Sequence, residues 1–92
     1  MELLHDSDRI YINNPETGMP DAEIFFPLGS DGYHNITHTI VGPALRGKGV
    51  AGLLTRAAAE LLRHEGKKTR LTCSYAVKWF SEHPEYNDVV VK

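Results

Sequence analysis

The residues of this chain best suited to chemistry are concentrated between Gly42 and Leu54, in the stretch GPALRGKGVAGLL. Gly47 and Gly49 lack the Cβ atoms that would hold a ligand away from the backbone, and Arg46 and Lys48 alternate with them as cations. Where such a segment leads from a strand into a helix, unpaired amide N–H groups and the positive end of the helix dipole make an anion site. Gly42 to Gly49 fits a nucleoside-triphosphate P-loop at every position except the last, where Gly49 replaces the hydroxyl residue that holds magnesium. The preceding segment YHNITHTIV alternates where a P-loop strand would run apolar, and no apolar strand ending in Asp is present, so that chemistry is set aside. A glycine-rich turn without a ligand is the other reading of the same six residues.

Two more side chains carry reactive groups. Cys73 ends the segment TRLTC just where a helix is expected to begin, and helix N-terminal amides stabilise a thiolate. It also shares a strand face with Thr69 and Leu71, as a small buried hydrophobe would. His38 suits a general base, because its ordinary pKa lies near working pH and its strand leads into the glycine loop. Counted by twos it shares a face with Ile36 and Ile40, which also fits a half-buried structural histidine. His34 and His38, four residues apart on a strand, are about 13 Å from each other, too far to chelate one metal, and no metal site is expected. Trp79, Phe80, Tyr75 and Tyr86 read as covering the core and the sheet end, although Tyr75 also offers a hydroxyl.

These residues need elements to position them. RIYIN (residues 9–13), AEIFFPL (22–28), YHNITHTIV (33–41) and TRLTC (69–73) have strand character. The turn-rich links NPETGMPD and GSDG make the first three an antiparallel meander. Val50, Leu53, Leu54, Ala57, Ala58, Leu61 and Leu62 recur at helical spacing, with Gly66 as the stop, and predict an amphipathic helix. The chain from Tyr33 to Cys73 then reads strand, helix, strand, a crossover with parallel strands. A second helix is expected from Ser74 or Tyr75 to His83, before Pro84.

Composition bounds the rest. Ninety-two residues at 41% hydrophobic content supply one modest core, so residues 1–92 are expected to form one domain. Ten Lys plus Arg against twelve Asp plus Glu leave a net charge of −2 and no basic field to hold a nucleic acid. The single cysteine makes no internal disulfide. No apolar run approaches the roughly 18 residues of a membrane helix, and MELLHDSDR lacks the features of a signal peptide. A soluble cytoplasmic protein with no membrane partner is expected.

Arg46-Gly47-Lys48-Gly49-Val50-Ala51 matches the [Q/R]-x-x-G-x-[G/A] signature of the Gcn5-related N-acetyltransferases, with Arg46, Gly49 and Ala51 at the defining positions. The blocks HTIVGPALRGKGVAGLL and LTCSYAVKWFSEHPEY resemble the very small single-domain branch of that family, and together cover roughly half the chain. The resemblance implies a mixed α/β fold with a mostly antiparallel sheet that splits at its centre, a long helix after the loop and a short C-terminal helix. It implies that the backbone of Arg46, Gly47, Lys48, Gly49, Val50 and Ala51 holds the pyrophosphate of acetyl-CoA. The pantetheine arm would pair with the chain from Ile40 to Leu45, including Val41 and Leu45, and Tyr75 would face the thioester groove.

The activity so implied is acetyl transfer to a primary amine, with a backbone N–H near Val41 polarising the carbonyl and His38 or a water as base. The chain also departs from the longer enzymes of the family. NPETGMPD stands where they insert helices, which leaves the acceptor side open, and Phe80 stands where they often carry a tyrosine acid. The alternative is a CoA-binding or thiol-sensing module in which Cys73 accepts the acetyl group or forms a mixed disulfide with CoA. The acceptor, a small amine or a protein lysine, is not specified by the sequence. Exposed strand edges fit either a monomer or a homodimer.

Overall fold

A computed structural model describes residues 2–91, so the first and last residues of the expected 1–92 domain lie outside the described ones. Strands β1 (Leu4–His5), β2 (Arg9–Asn13), β3 (Pro20–Phe25), β4 (His34–Ile36) and β5 (His38–Val41) precede a 3₁₀ turn (Pro43–Leu45) and helix α1 (Val50–His64). Strand β6 (Thr69–Leu71), helix α2 (Ser74–Glu82) and a second 3₁₀ segment (Pro84–Val89) follow. The strands form an antiparallel sheet in the order β1-β2-β3-β5 and a parallel pair, β4-β6. The expected mixed α/β fold with a mostly antiparallel sheet, a long helix and a short C-terminal helix is the one observed.

Alternation decides which face of the sheet is covered. Ile10, Ile12, Ala22 and Ile24 are buried and face α1, while Arg9, Tyr11, Glu23 and Phe25 between them are half-buried on the other face. Arg9 holds that outer face together, with Glu23 and Asp6 each at 2.9 Å and the Tyr11 ring beneath its guanidinium. The turn before β3 is set by Asn14, whose Oδ1 accepts the amides of Glu16 and Thr17.

Helix α1 presents a stripe of Val50, Leu54, Thr55, Ala58, Ala59 and Leu62 to the core. Its buried face is rotated from the one expected: Leu53 is 40% exposed, and Ala57 and Leu61 lie on the flank. Thr55 takes a core position because its hydroxyl donates to the Ala51 carbonyl at 2.7 Å, which satisfies the polar group. Trp79, Phe80, Tyr86 and Val89 from α2 and the final 3₁₀ segment complete the same core. The Tyr86 hydroxyl donates to Glu60 at 2.6 Å and accepts from Arg56 at 3.0 Å, while Arg63 pairs with Asp88 at 2.6 Å.

The segment read as one strand from Tyr33 to Val41 is two strands joined by a bulge. The Thr37 N–H donates to the Phe25 carbonyl, and His38 is also registered opposite Phe25, so two residues of this strand face one of β3. The extra residue reverses the pleat. Before it, His34 and Ile36 hydrogen-bond towards β6; after it, Gly42 donates to Asp21 of the β3 side, and the backbone groups of Thr39 and Val41 turn outward. Ile36 is therefore fully buried while His38 and Ile40 are exposed, so His38 does not share a face with Ile36.

Candidate functional site

The loop from Arg46 to Gly49 delivers the chain into α1. Gly47 and Gly49 have φ of +77° and +72°, in the left-handed region that other residues avoid. A Cβ built at either would meet nothing within 4 Å, so the glycines turn the chain and leave open space over its backbone at the same two points. Gly49 caps α1 without a side-chain hydrogen bond, and the first turn holds no acidic residue. The first helical amide to find a backbone acceptor is Leu53, on Gly49 O at 3.1 Å. The N–H groups of Val50, Ala51 and Gly52 thus stand without a partner among the described residues, at the positive end of the helix.

Arg46 has a structural task as well as a charge. Its Nε donates to the Val41 carbonyl at 3.1 Å and ties the loop to the end of β5. Lys48 is exposed and makes no ion pair among the described residues. Lys48 and the outer nitrogens of Arg46 thus have no protein partner among the described residues.

A cleft leads from this loop into the sheet. Strand β6 pairs with β4 only as far as Ile36, whose carbonyl accepts both Thr72 N–H at 3.2 Å and Cys73 N–H at 3.0 Å. Beyond that vertex α2 begins, and β5 continues with β3 on one edge and, among the described residues, no strand on the other. The free edge carries the N–H of Val41 and both backbone groups of Thr39, since Arg46 already occupies the Val41 carbonyl. An extended amide-bearing chain laid there would have hydrogen-bond partners at alternate residues.

Cys73 sits at the vertex. It is the residue before α2, is 9% exposed, and its Sγ lies 3.7 Å from Thr39 Oγ1 across the cleft. Tyr75, in the first turn of α2, lies over the start of α1, where a Cβ on Gly52 would meet its hydroxyl at 3.4 Å. Desolvation raises its phenol pKa, with the nearby Glu82 and Cys73 adding to the shift. Tyr75 is 39% exposed and so, unlike Trp79, Phe80 and Tyr86, is not core. Phe80 is buried among apolar neighbours and offers no proton.

His38 lies on the other face of β5. Its Nδ1 is 3.1 Å from Thr37 Oγ1 and its ring meets Phe25 edge-on. Contacts join Cys73 to Thr39, Tyr75 to the Gly52 position and Arg46 to Val41, while His38 lies across the strand from Cys73. His34 is buried, with Nδ1 donating to the Phe26 carbonyl at 2.7 Å. Among the described residues no cluster of His, Cys, Asp and Glu could hold a metal, and no helix is long and apolar enough to cross a membrane.

Leu45 belongs to the 3₁₀ turn, not to a strand continuing from Ile40. It lines a cavity of about 600 Å³ with Glu2, Asn13 and Asp21, at the far end of the β2–β3 hairpin from the vertex. Thr39, the partner of Cys73, and Thr37, at the bulge, were not singled out by sequence. No signal in YHNITHTIV marks either.

The family profile described as GCN5-related N-acetyl-transferase matches residues 9–89. The chain belongs to this family. The solution structure of a GCN5-like protein from Staphylococcus aureus superposes on it with a TM-score of 0.76 at 30% identity, covering 98% of this chain and 87% of that one. A Trypanosoma brucei acetyltransferase shares the fold at 18% identity, with a TM-score of 0.57 over 82% of this chain and 58% of that one. The protein called NATD1 from Xenopus tropicalis is 40% identical over 50 residues, 54% of this chain and 46% of that protein. The Homo sapiens NATD1 matches at the same identity over 44% of its length. The matched segment spans less than half of these curated relatives. Family membership and fold are thus shared with these proteins.

Proposed function

We propose that this chain binds acetyl-CoA and transfers its acetyl group to a primary amine. The reading is supported by a free strand edge at Thr39 and Val41, lying between the Cys73 vertex and a helix start that is led by two left-handed glycines and has no side-chain cap. The N–H groups of Val50, Ala51 and Gly52 bind the pyrophosphate, with Lys48 and the outer guanidinium nitrogens of Arg46 adding charge. The Thr39 carbonyl and the Val41 N–H pair with the amides of the pantetheine arm. Tyr75 closes the cleft from α2.

When bound, acetyl-CoA supplies a thioester carbonyl activated towards amines. The amine nitrogen attacks that carbonyl carbon, the bond to sulfur breaks, and CoA departs as thiolate and takes up a proton from water. The N–H of Thr39, near Val41 on the same free edge, polarises the carbonyl oxygen, and His38, directly or through a water, accepts the proton that the amine loses. His38 is suited to this because its face is open to the solvent from which an acceptor arrives.

A second reading rests on the position of Cys73 at the vertex. There its thiolate takes the acetyl group by thioester exchange, releasing CoA, and the protein acts as a CoA-binding or thiol-sensing module. Release of CoA thiol, followed against amine concentration, separates the two. Turnover proportional to amine supports the transferase. A single equivalent of CoA released per protein, with a mass gain of one acetyl on Cys73 and no dependence on amine, contradicts it. Soluble placement in the cytoplasm and a monomeric or homodimeric state complete the proposal.

A further inference from the structure

The outer face of the sheet carries a pocket that the acetyl-transfer reading leaves unassigned. Asp8, Phe25, Pro27, Thr37, His38 and Ile40 surround a cavity of about 350 Å³. Its volume is at the lower end of the range for small-ligand sites, room for on the order of ten heavy atoms at ~30 Å³ each. The walls are apolar, from Phe25, Pro27 and Ile40. Ile40 is 55% exposed in a strand whose other face is packed, an apolar side chain with nothing over it among the described residues.

The polar groups of the pocket are few and of complementary kinds. Asp6 and Glu23 on the same face are both taken by Arg9, each at 2.9 Å. Asp8 makes no ion pair of its own among the described residues, and its carboxyl lies beside that of Asp6, which Arg9 holds. His38 uses Nδ1 towards Thr37 Oγ1, and Nε2 has no protein partner among the described residues. A carboxylate, an apolar wall and a base in one cavity match a cation that must lose a proton to react.

The pocket also meets the cleft. Thr37 lines it and is the bulge residue next to Ile36, the residue whose carbonyl receives Cys73 N–H at the vertex. A group seated against Thr37 and His38 therefore approaches the vertex from the face opposite Cys73. The bulge is what makes this possible, since without the extra residue His38 and Ile40 would point into the core.

We infer that the acceptor is a primary ammonium on an apolar stem of about four to eight carbons, held in this pocket with its charge on Asp8 and its stem against Phe25, Pro27 and Ile40. The inference rests on the acetyl-transfer reading for its chemistry and stands separately for its binding. Asp8 draws the ammonium into the pocket from the β2 side; the nitrogen then moves across β3 to His38, which takes one proton so that the neutral nitrogen attacks the thioester carbon, and the second proton leaves, through water, with the departing CoA thiolate. A free alkylamine and a lysine side chain share this chemistry.

The test uses the full chain and three probes of equal length: n-hexylamine, n-hexanol and hexanoate. Amide and side-chain chemical shifts are followed by NMR with and without CoA. The expected result is saturable shifts at Thr37, His38 and Ile40 with hexylammonium, and none with hexanol or hexanoate at the same concentration. In steady-state acetylation, Asp8→Asn raises the KM for hexylamine about tenfold and leaves acetyl-CoA affinity unchanged, and Ile40→Ser abolishes the preference for hexylamine over ethylamine. A peptide with one internal lysine and a blocked N-terminus forms the second arm. If its kcat/KM exceeds that of hexylamine, the source is a protein lysine; if it is lower, a free amine; either supports the class. Hexylammonium shifts that map elsewhere, equal response to hexanol, or unchanged KM in Asp8→Asn would overturn the inference. If acetyl-CoA does not bind, the function proposed above fails, while the amine titration still reads the pocket.

Discussion

Replacing Gly49 by alanine separates the structural task of the loop from its ligand task. At φ of +72° an L-residue is disfavoured, but the new Cβ would meet nothing within 4 Å. The cost to folding is therefore conformational alone, about 1–2 kcal/mol. In a domain of this size that lowers the unfolding temperature by roughly 4–16 °C. Gly18, at φ of +71° and equally free of neighbours, lies in the β2–β3 turn outside the 46–51 loop and supplies the control. Gly18→Ala should cost about the same stability. The two variants should part when acetyl-CoA is added. At a hundredfold excess over Kd, a ligand bound only to the folded state stabilises it by about 2.7 kcal/mol. The Cβ at position 49 projects into the space assigned to the pyrophosphate, and a tenfold loss of affinity there would remove about 1.4 kcal/mol of that stabilisation. Thermal unfolding across an acetyl-CoA titration reads both quantities. Equal ligand-induced shifts in Gly18→Ala and Gly49→Ala would refute the assignment of that space to the ligand.

Cys73→Ala should retain acetyl-CoA binding and amine turnover within about twofold, as direct attack requires; loss of turnover with binding intact would transfer the chemistry to the thiol. The carboxyls of Asp6, Asp31 and Asp88 are held below their usual range chiefly by hydrogen bonds from Arg9, Arg70 and Arg63. Their contribution is present above the unfolded pKa and disappears as pH falls through the lower folded values, so unfolding temperature should drop below about pH 4. Because the pairs are exposed, added salt should shrink that drop, and a pH profile flat from 5 to 2 would contradict it. Tyr86 behaves oppositely: its hydrogen bond to Glu60 is the main cause of a raised phenol pKa, so its contribution is complete below about pH 10 and is lost as pH rises through the folded value. Tyr86→Phe should lower stability by about 1 kcal/mol at neutral pH and weaken the alkaline loss, measured by denaturant unfolding at pH 7 and pH 10.5.

The loop and α1 were legible because their signals are local. Glycines at two-residue spacing mark the turn, and seven apolar residues at helical spacing mark the helix to within a residue of its end. Thr55 and Leu53 exchanged roles because hydrophobicity alone does not register that a threonine hydroxyl can be satisfied by its own helix. The bulge at Thr37 and His38 was not legible for a different reason. Alternation in YHNITHTIV reads the same on either side of an inserted residue, and only pairing with β3 reveals the slip. That slip decides the face of His38, the free edge of β5 and the pocket at Ile40, so most of the site geometry depends on contacts distant in sequence. Strand β1, two residues long, carries too little pattern to be read, and the 3₁₀ segment from Pro84 to Val89 is held by Arg56, Glu60 and Arg63 of α1, not by its own sequence.

The most direct test of the central claim is the change in backbone amide chemical shifts as acetyl-CoA is titrated, with Mg-ATP in parallel. The account predicts that Thr39 and Val41 on the free edge move together with Gly47, Gly49, Val50, Ala51 and Gly52 at the loop and helix start, with acetyl-CoA alone. Shifts confined to the loop and matched by Mg-ATP would show a general anion site without a pantetheine channel, and would contradict it.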